Sequence, residues 1–266
     1  MILLLVDIGN TRVKWARLAD GRMGKQHAAA NAGWDLGQYA RRVIGRGWRR
    51  GEGRIVVSSV AGDQINQLLV AAARQAGAPE PEFVASERSA AGITTEYLDP
   101  WRLGVDRFIG AIGARHLASG QPVCVVNVGT AMTIDLVDGS GRHHGGAIVP
   151  GPALMVDSLL TQTNGIRRRA TGGRSGLKSL FARTTRTAIE QGALYAAAAV
   201  IDRAIDEARW LLGSSPLVLL TGGGAAAIKP LVRNSAVCLP DLVLHGLAVW
   251  VRHNPSDADR RQAPRK

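Results

Sequence analysis

The sequence is poor in cysteine, in aromatic residues and in long apolar runs. Its two cysteines, Cys124 and Cys238, lie in apolar stretches without a partner at metal-ligand spacing, so we predict two buried thiols. Aromatic residues make up 5% of the chain, and the tryptophans are not interleaved with basic residues as stacking on single-stranded nucleic acid requires. The apolar run at residues 2–6 is far too short to span a membrane and lacks the pattern of a signal peptide. These absences predict a cytoplasmic protein with no membrane partner.

Acidic residues are also scarce, because 21 Asp and Glu stand against 33 Lys and Arg, for a net charge of +12. A positive field attracts nucleic acids and anionic metabolites alike. The arginines, however, are spread over residues 40–54, residues 166–174 and the end of the chain. That distribution favours a solvated surface, since runs of like charge repel one another and stay exposed. We therefore do not expect nucleic acid as a partner.

The stretch "VDIGNTRVKW", residues 6–15, places polar residues directly after an apolar strand. Residues 2–6 have the continuous apolar character of a strand buried on both faces. Asp7 interrupts this run, and a carboxylate there is costly to bury unless a cation or a hydrogen-bond donor meets it. The pattern predicts a ligand site at the end of the strand.

The plan recurs in "PVCVVNVGTAMTIDLVDG", residues 122–139, where Asn127 aligns with Asp7 and Gly129 with Gly9. Each copy opens a region in which strand and helix patterns alternate, and this predicts a duplicated α/β chain of two domains. We place the first domain at residues 1–118, the second at 119–253 and a basic flexible tail at 254–266. Clefts between domains bind small molecules, and glycine turns offer backbone N–H groups to phosphate.

Four segments occur in a characteristic order and spacing: "DIGNT" (7–11), "LGVDR" (103–107), "VGTAMTID" (128–135) and "GGAIVPG" (145–151). Together they resemble the type III pantothenate kinases of the actin and sugar-kinase superfamily, over residues 1 to about 252. The resemblance implies a two-domain actin-like (ribonuclease H-like) duplicated fold, with mixed sheets flanked by helices and an interdomain cleft. It also implies a homodimer that uses ATP to phosphorylate the primary hydroxyl of pantothenate to 4′-phosphopantothenate, the first step of coenzyme A biosynthesis.

Phosphoryl transfer requires positioned nucleotide phosphates, charge neutralised through Mg²⁺ and an aligned acceptor hydroxyl. Asp7 is a candidate to hold Mg²⁺, directly or through water, because this ion prefers oxygen ligands. The candidate phosphate-binding residues are Asn10, Thr11 and Lys14 around the first turn and Gly129 and Thr130 in the second. By resemblance Gly222 and Gly223 lie near the adenosine, although a plain turn that packs a strand on a helix remains the alternative.

Asp106 is the candidate general base, because a carboxylate can orient an alcohol and take its proton. Arg107 would bind the substrate carboxylate with its planar fork of donors. The resemblance adds Tyr97, Gly104, Val105 and Thr185 to the pantothenate pocket, with Thr185 reaching over from the other subunit. Without the surrounding motif, Asp106 and Arg107 would be read as an ordinary pair at a helix N-terminus.

One residue departs from the family pattern, which has Asp where this chain has Asn127. The family's Asp helps to hold a monovalent cation, K⁺ or NH₄⁺, and an amide oxygen carries one negative charge less. Asp135 on the return strand either compensates or points away. His143 and His144 are neighbours on a strand and face opposite sides, so we expect surface or loop histidines and not a metal pair.

Two other functions remain open at this level. The first alternative is a non-catalytic regulatory or accessory protein on the same scaffold, which the basic surface and Asn127 would suit. The second is a related kinase or phosphatase that acts on another small acceptor, because a fold does not determine a substrate.

Overall fold

The computed structural model describes residues 2–49, 53–171 and 179–255. The chain divides into two compact units: residues up to Ser119 together with those from Asp241 onward form the first, and Gly120–Pro240 the second. Each unit contains a mixed β-sheet flanked by helices, which confirms the predicted fold class. The predicted tail lies outside the described residues except for residues 254 and 255.

The sheet of the first unit is built around its first strand. Its six strands are β1 (Ile2–Ile8), β2 (Arg12–Ala19), β3 (Arg22–Met23), β4 (His27–Ala30), β5 (Ile55–Ser59) and β6 (Pro81–Phe83). The antiparallel pair β7 (Ser89–Ala90) and β8 (Ile93–Thr95), which follows in the chain, is not part of this sheet. β1 runs antiparallel to β2 and parallel to β5, in the order β3-β2-β1-β5-β6, and β4 pairs with β2. Its apolar run is buried, as predicted for a central strand.

The first helical segment of this unit changes from α-helical to π-helical hydrogen bonding and back. It passes from α1 (Leu36–Tyr39) through π-helical turns (Ala40–Ile44) to α2 (Gly45–Gly47). The others are α3 (Asp63–Gln75), a 3₁₀ turn (Pro100–Arg102) and α4 (Val105–Ala118). Leu4, Val6 and Ile8 of β1 share one apolar core with Tyr39 and Leu69. Since side chains alternate along a strand, Asp7 lies on the opposite face of the sheet.

The second unit repeats the topology of the first. Its strands are β9 (Val123–Val128), β10 (Ala131–Val137), β11 (Arg142–Pro150), β12 (Leu217–Thr221) and β13 (Ala236–Cys238). Its helices are α5 (Pro152–Gln162), α6 (Asn164–Arg169), α7 (Thr185–Leu212), α8 (Ala225–Ile228) and a 3₁₀ turn (Lys229–Leu231). β9 runs antiparallel to β10 and parallel to β12, as β1 does to β2 and β5. The sheet packs on α7 through an apolar core.

The pairing registers confirm the duplication that the sequence predicted. Asp7 pairs with Lys14 across the first hairpin, and Asn127 pairs with Thr133 across the second. The second turn is therefore one residue shorter, because Asp7 and its partner are seven positions apart and Asn127 and its partner six. The polar residue follows the apolar strand at the same place in both units.

The last helix, α9 (Leu242–His253), corrects the predicted domain assignment. The sequence placed it in the second domain, but it packs on α4 of the first unit. Two glycines let the helix backbones touch: a methyl carbon at position 113 would come within 2.8 Å of the Gly246 nitrogen, and one at position 246 within 1.9 Å of the Ile109 carbonyl oxygen. Contacts over such a sequence separation leave no local pattern.

The cysteines differ from each other in burial. Cys124 is buried as predicted, and burial raises the pKa of its thiol to about 12. Cys238 is only half-buried, so the prediction of a second buried thiol was wrong. Cys238 ends β13, which lies at the edge of the sheet order, where one side of a strand has no neighbour.

No helix in the described part of the chain has the length and apolar character needed to cross a membrane.

Candidate functional site

Asp7 lies at the carboxyl end of β1 and is 8% exposed. Lys14 stands opposite on β2, with its Nζ 3.9 Å from a carboxylate oxygen of Asp7. Burial raises the pKa of Asp7 to about 6; Lys14 acts to lower this pKa and Asp106 to raise it. A further positive charge near this buried carboxylate would stabilise its ionised form.

The first turn carries the predicted phosphate-binding residues at its tip. The Gly9 N–H donates to the Arg12 carbonyl at 2.9 Å, which leaves Asn10 and Thr11 exposed between them. Neither side chain is covered by the rest of the unit. The turn therefore has two exposed polar residues at its tip.

Asn31, which no sequence pattern indicates, holds this turn in place through hydrogen bonds. Its side-chain Nδ2 donates to the Gly9 carbonyl and to the Tyr39 hydroxyl, both at 3.4 Å, and its backbone N–H donates to the Thr11 carbonyl at 3.2 Å. Asn31 is buried. An isolated asparagine in a loop carries no signal that it will fold back onto a distant turn.

Asp106 lies in the first turn of α4, where the helix dipole favours a carboxylate. The Arg107 N–H donates to Asp106 Oδ1 at 2.9 Å. A methyl carbon at position 104 would come within 2.8 Å of the same oxygen, so Gly104 leaves room for it. The Asp106 carboxylate acts to raise the pKa of Asp7, so these two acidic residues, about a hundred positions apart in the chain, influence each other electrostatically.

Tyr97 and Arg107, both predicted for the pantothenate pocket, contact each other. Arg107 Nη1 donates to the Tyr97 hydroxyl at 2.7 Å, and the guanidinium lies 5.5 Å from the centre of the Tyr97 ring. Both Arg107 and Val105 are buried. Arg88, which the sequence analysis missed, donates to the carbonyls of residues 95, 97 and 98 and so holds the segment that carries Tyr97.

In the second unit, three separate segments meet at the end of β9. The Gly151 N–H donates to the Thr130 carbonyl at 2.8 Å, and a methyl carbon at position 151 would come within 2.1 Å of the Gly129 oxygen. Gly222 has φ +87°, and a methyl carbon there would come within 2.6 Å of Asn127 Oδ1. Only glycine fits at these two positions. Gly129 and Thr130 are exposed, and so is Gly223, with open space around it.

Thr185, the remaining predicted pocket residue, begins α7 and is half-buried. It belongs to the second unit, whereas Tyr97, Gly104, Val105 and Arg107 belong to the first.

Asp135 and His143 form a buried pair, which corrects the prediction that His143 lies on the surface. His143 Nε2 is 2.9 Å from Asp135 Oδ1, and neither side chain is more than 2% exposed. A register shift between β10 and β11 lies next to this pair. One carboxylate oxygen of Asp135 is therefore bonded to a buried histidine. His144 pairs with Asp138 closer to the surface.

The described residues contain no group of three or more His, Cys, Asp or Glu side chains placed to hold a metal ion. Mg²⁺ keeps much of its hydration and binds proteins through one or two carboxylates, so a single carboxylate such as Asp7 fits this ion.

Comparison with known proteins identifies the family. The family model described as type III pantothenate kinase matches residues 3–207. The chain belongs to the type III pantothenate kinases. A type III pantothenate kinase of Nitrosococcus oceani is 36% identical over 253 residues, which cover 93% of this chain and 92% of that protein. One from Janthinobacterium is 36% identical over 265 residues, with 96% and 100% covered.

Solved structures support the fold of this type III pantothenate kinase. A Campylobacter jejuni protein described as a Baf family transcriptional activator has a TM-score of 0.59 at 20% identity, with 95% of this chain and 98% of that chain covered. The Clostridium difficile activator of 2-hydroxyisocaproyl-CoA dehydratase, with bound ADPNP, has a TM-score of 0.54 at 11% identity, with 100% and 99% covered. At such identities the likeness concerns the fold alone.

Membership in the type III pantothenate kinases confirms the family and the kinase class that the sequence predicted. The comparisons give no support to a non-catalytic regulator.

Proposed function

We propose that this chain transfers the terminal phosphoryl group of ATP to the primary hydroxyl of pantothenate, which yields 4′-phosphopantothenate and begins coenzyme A biosynthesis. The observation that carries the proposal is that one unit of a chain in this family contains Asp106, which acts to raise the pKa of Asp7, directly before Arg107, which donates to the Tyr97 hydroxyl. These are the groups that phosphoryl transfer to an acidic alcohol requires.

The first turn is proposed to bind the nucleotide phosphates. Asn10 and Thr11 would donate hydrogen bonds, Lys14 would add positive charge, and Asp7 would hold Mg²⁺ directly or through water. When bound, Mg²⁺ would neutralise charge on the phosphate oxygens. The burial of Asp7 supports this role, because a buried carboxylate with a raised pKa gains from a nearby cation.

Asp106 is proposed as the general base and Arg107 as the group that binds the pantothenate carboxylate. Asp106 lies in the first turn of α4, where its carboxylate would accept the proton of the acceptor hydroxyl. The hydrogen bond from Arg107 to the Tyr97 hydroxyl orients the guanidinium, whose fork suits a carboxylate. Gly104 and Val105 would form the wall of the pocket at the start of this helix.

The turns of the second unit are proposed to bind nucleotide as well. Gly129 and Thr130 would contact phosphate through their exposed backbone and hydroxyl, and Gly222 and Gly223 would pass close to the adenosine. Asn127 would hold a monovalent cation, K⁺ or NH₄⁺, more weakly than a carboxylate would. Comparing the rate in K⁺, NH₄⁺ and Na⁺ for the wild type and Asn127→Asp tests this point; a stronger K⁺ response in the variant is expected, and equal responses contradict the assignment.

We also propose that the chain works as a homodimer in the cytoplasm. α5 supports the dimer, because none of its residues is buried although Leu154 and Leu159 lie among several apolar neighbours. An apolar helix whose leucines stay partly exposed is suited to a second copy. The partner subunit's Thr185 would then reach the pantothenate pocket.

The decisive experiment follows ADP release and 4′-phosphopantothenate formation by the purified chain with Mg·ATP and pantothenate. Asp106→Asn should lower kcat by about 10² to 10⁴, the usual contribution of a general base. Arg107→Lys keeps the charge but loses the fork, and it should raise the KM for pantothenate. A wild-type chain that releases no ADP in response to pantothenate contradicts the proposal. If a panel of acceptor alcohols shows faster phosphorylation of another alcohol, that alcohol replaces pantothenate as the proposed substrate.

A further inference from the structure

Ser58 has a buried hydroxyl that makes no hydrogen bond to any described residue. The residue is completely buried near the end of β5, and its Oγ has no hydrogen-bond partner among the described residues. Its neighbour Ser59 differs, because the Ser59 hydroxyl donates to Asn66 at 2.5 Å. Burying a hydroxyl without a partner costs free energy, so such a group calls for an explanation.

The sheet register places Ser58 directly beside Asp7. The two residues are paired in the parallel ladder of β1 and β5, and Lys14 is paired with Asp7 on the other side. Paired residues on neighbouring strands point to the same face, so Lys14, Asp7 and Ser58 form one row across the sheet. The row lies on the face opposite the core that contains Val6 and Val57. A hydroxyl therefore lies beside the carboxylate proposed to hold Mg²⁺.

The second unit contains the same arrangement at the equivalent place. Thr221 is paired with Asn127 in the parallel ladder of β12 and β9, and Thr133 is paired with Asn127 on the other side. Thr221 is 2% exposed, and within the described part of the chain its Oγ1 also has no hydrogen-bond partner. A buried hydroxyl thus stands beside Asp7 in the first unit and beside Asn127 in the second. Its recurrence at equivalent places links the hydroxyl to the role of these two polar residues.

We propose that Ser58 is a positioning residue for the nucleotide-bound Mg²⁺, whose hydroxyl accepts a hydrogen bond from a metal-bound water and donates one to Asp7. The inference rests on the proposed function. A hydroxyl suits this position because it both donates and accepts, whereas a carboxylate only accepts. Outer groups of this kind orient the ligands of a metal, and their loss commonly lowers metal affinity by 10- to 100-fold.

The test uses Ser58→Ala, which removes the hydroxyl at nearly constant shape. Since the hydroxyl has no hydrogen-bond partner among the residues that the structure describes, the melting temperature of the unliganded variant should equal or exceed that of the wild type. The dissociation constant of Mg·AMPPNP, measured by calorimetry, should rise about tenfold. The affinity for AMPPNP in EDTA should stay unchanged, because the metal is then absent.

Ser59→Ala is the matched control, one residue further along β5. It removes a hydroxyl that is bonded within the fold, so its melting temperature should fall while the dissociation constant of Mg·AMPPNP stays at the wild-type value. A Ser58→Ala variant that behaves like this control overturns the inference, since the hydroxyl is then structural. If the wild type phosphorylates pantothenate and Ser58→Ala binds Mg·AMPPNP with wild-type affinity, the Ser58 inference fails and the proposed function stands. A wild-type chain that neither binds Mg·AMPPNP nor phosphorylates pantothenate overturns both.

Discussion

Two glycines three positions apart on α4 should respond in opposite ways to the same substitution. A methyl carbon at position 110 would have nothing within 4 Å outside the helix, so Gly110→Ala adds only helix propensity, worth about 0.5–1 kcal/mol. At position 113 the methyl carbon would lie 2.8 Å from both the Gly246 nitrogen and the Leu242 oxygen. Ordinary contacts begin at 3.4 Å, so α9 would have to retreat by roughly 0.6 Å.

Overpacking of this kind costs about 1–3 kcal/mol, which outweighs the propensity gain and leaves Gly113→Ala less stable by about 0.5–2 kcal/mol. Gly246→Ala should cost more, since its methyl carbon would lie 1.9 Å from a backbone oxygen. Thermal unfolding measures the order, with a shift of about 2–4 °C for each kcal/mol. The packing argument is refuted if Gly110→Ala and Gly113→Ala shift the melting temperature by the same amount in the same direction.

Three further predictions concern Asp7, the buried histidine and the braced turn. Because burial raises the pKa of Asp7 to about 6 from 3.8, its ionisation disfavours the folded, unliganded state above pH 6. Protonation of Asp7 should therefore raise the free energy of unfolding as pH falls from 6 to 4, while the affinity for Mg·AMPPNP falls about tenfold per pH unit. Calorimetry across this pH range measures both trends. Asp7→Asn should remove both of them. His143→Leu leaves the Asp135 carboxylate buried without its histidine, so denaturant unfolding should show a loss of about 3–5 kcal/mol, most of it recovered by the double variant with Asp135→Leu. Asn31→Ala should raise the KM for ATP several-fold with little change in the KM for pantothenate, and steady-state kinetics showing both constants unchanged would contradict the bracing role.

Much of the candidate site could be predicted because its residues lie in local patterns. Asp7 and Asn127 each end an apolar run, and the glycine turn and return strand follow within a few positions. Asp106 and Arg107 precede a helical pattern in a segment typical of the family. In each case the residues that indicate the chemistry are neighbours in the sequence.

The supporting residues could not be predicted in this way. Asn31 and Arg88 act by donating to backbone carbonyls, which every residue carries, so no residue type marks their partners. His143 looked like a surface histidine because only the register between β10 and β11 brings it to Asp135.

The sequence by itself determined the apolar strands that end at Asp7 and Asn127, the turns after them, the duplication and the family, because apolar runs and glycine positions act over a few residues. Only the tertiary structure decided that α9 joins the first unit, that Asp7 and Asp106 interact, and that Ser58 stands beside Asp7. Those relations depend on strand register and helix packing between distant parts of the chain, where backbone geometry selects the neighbours and side-chain type alone does not.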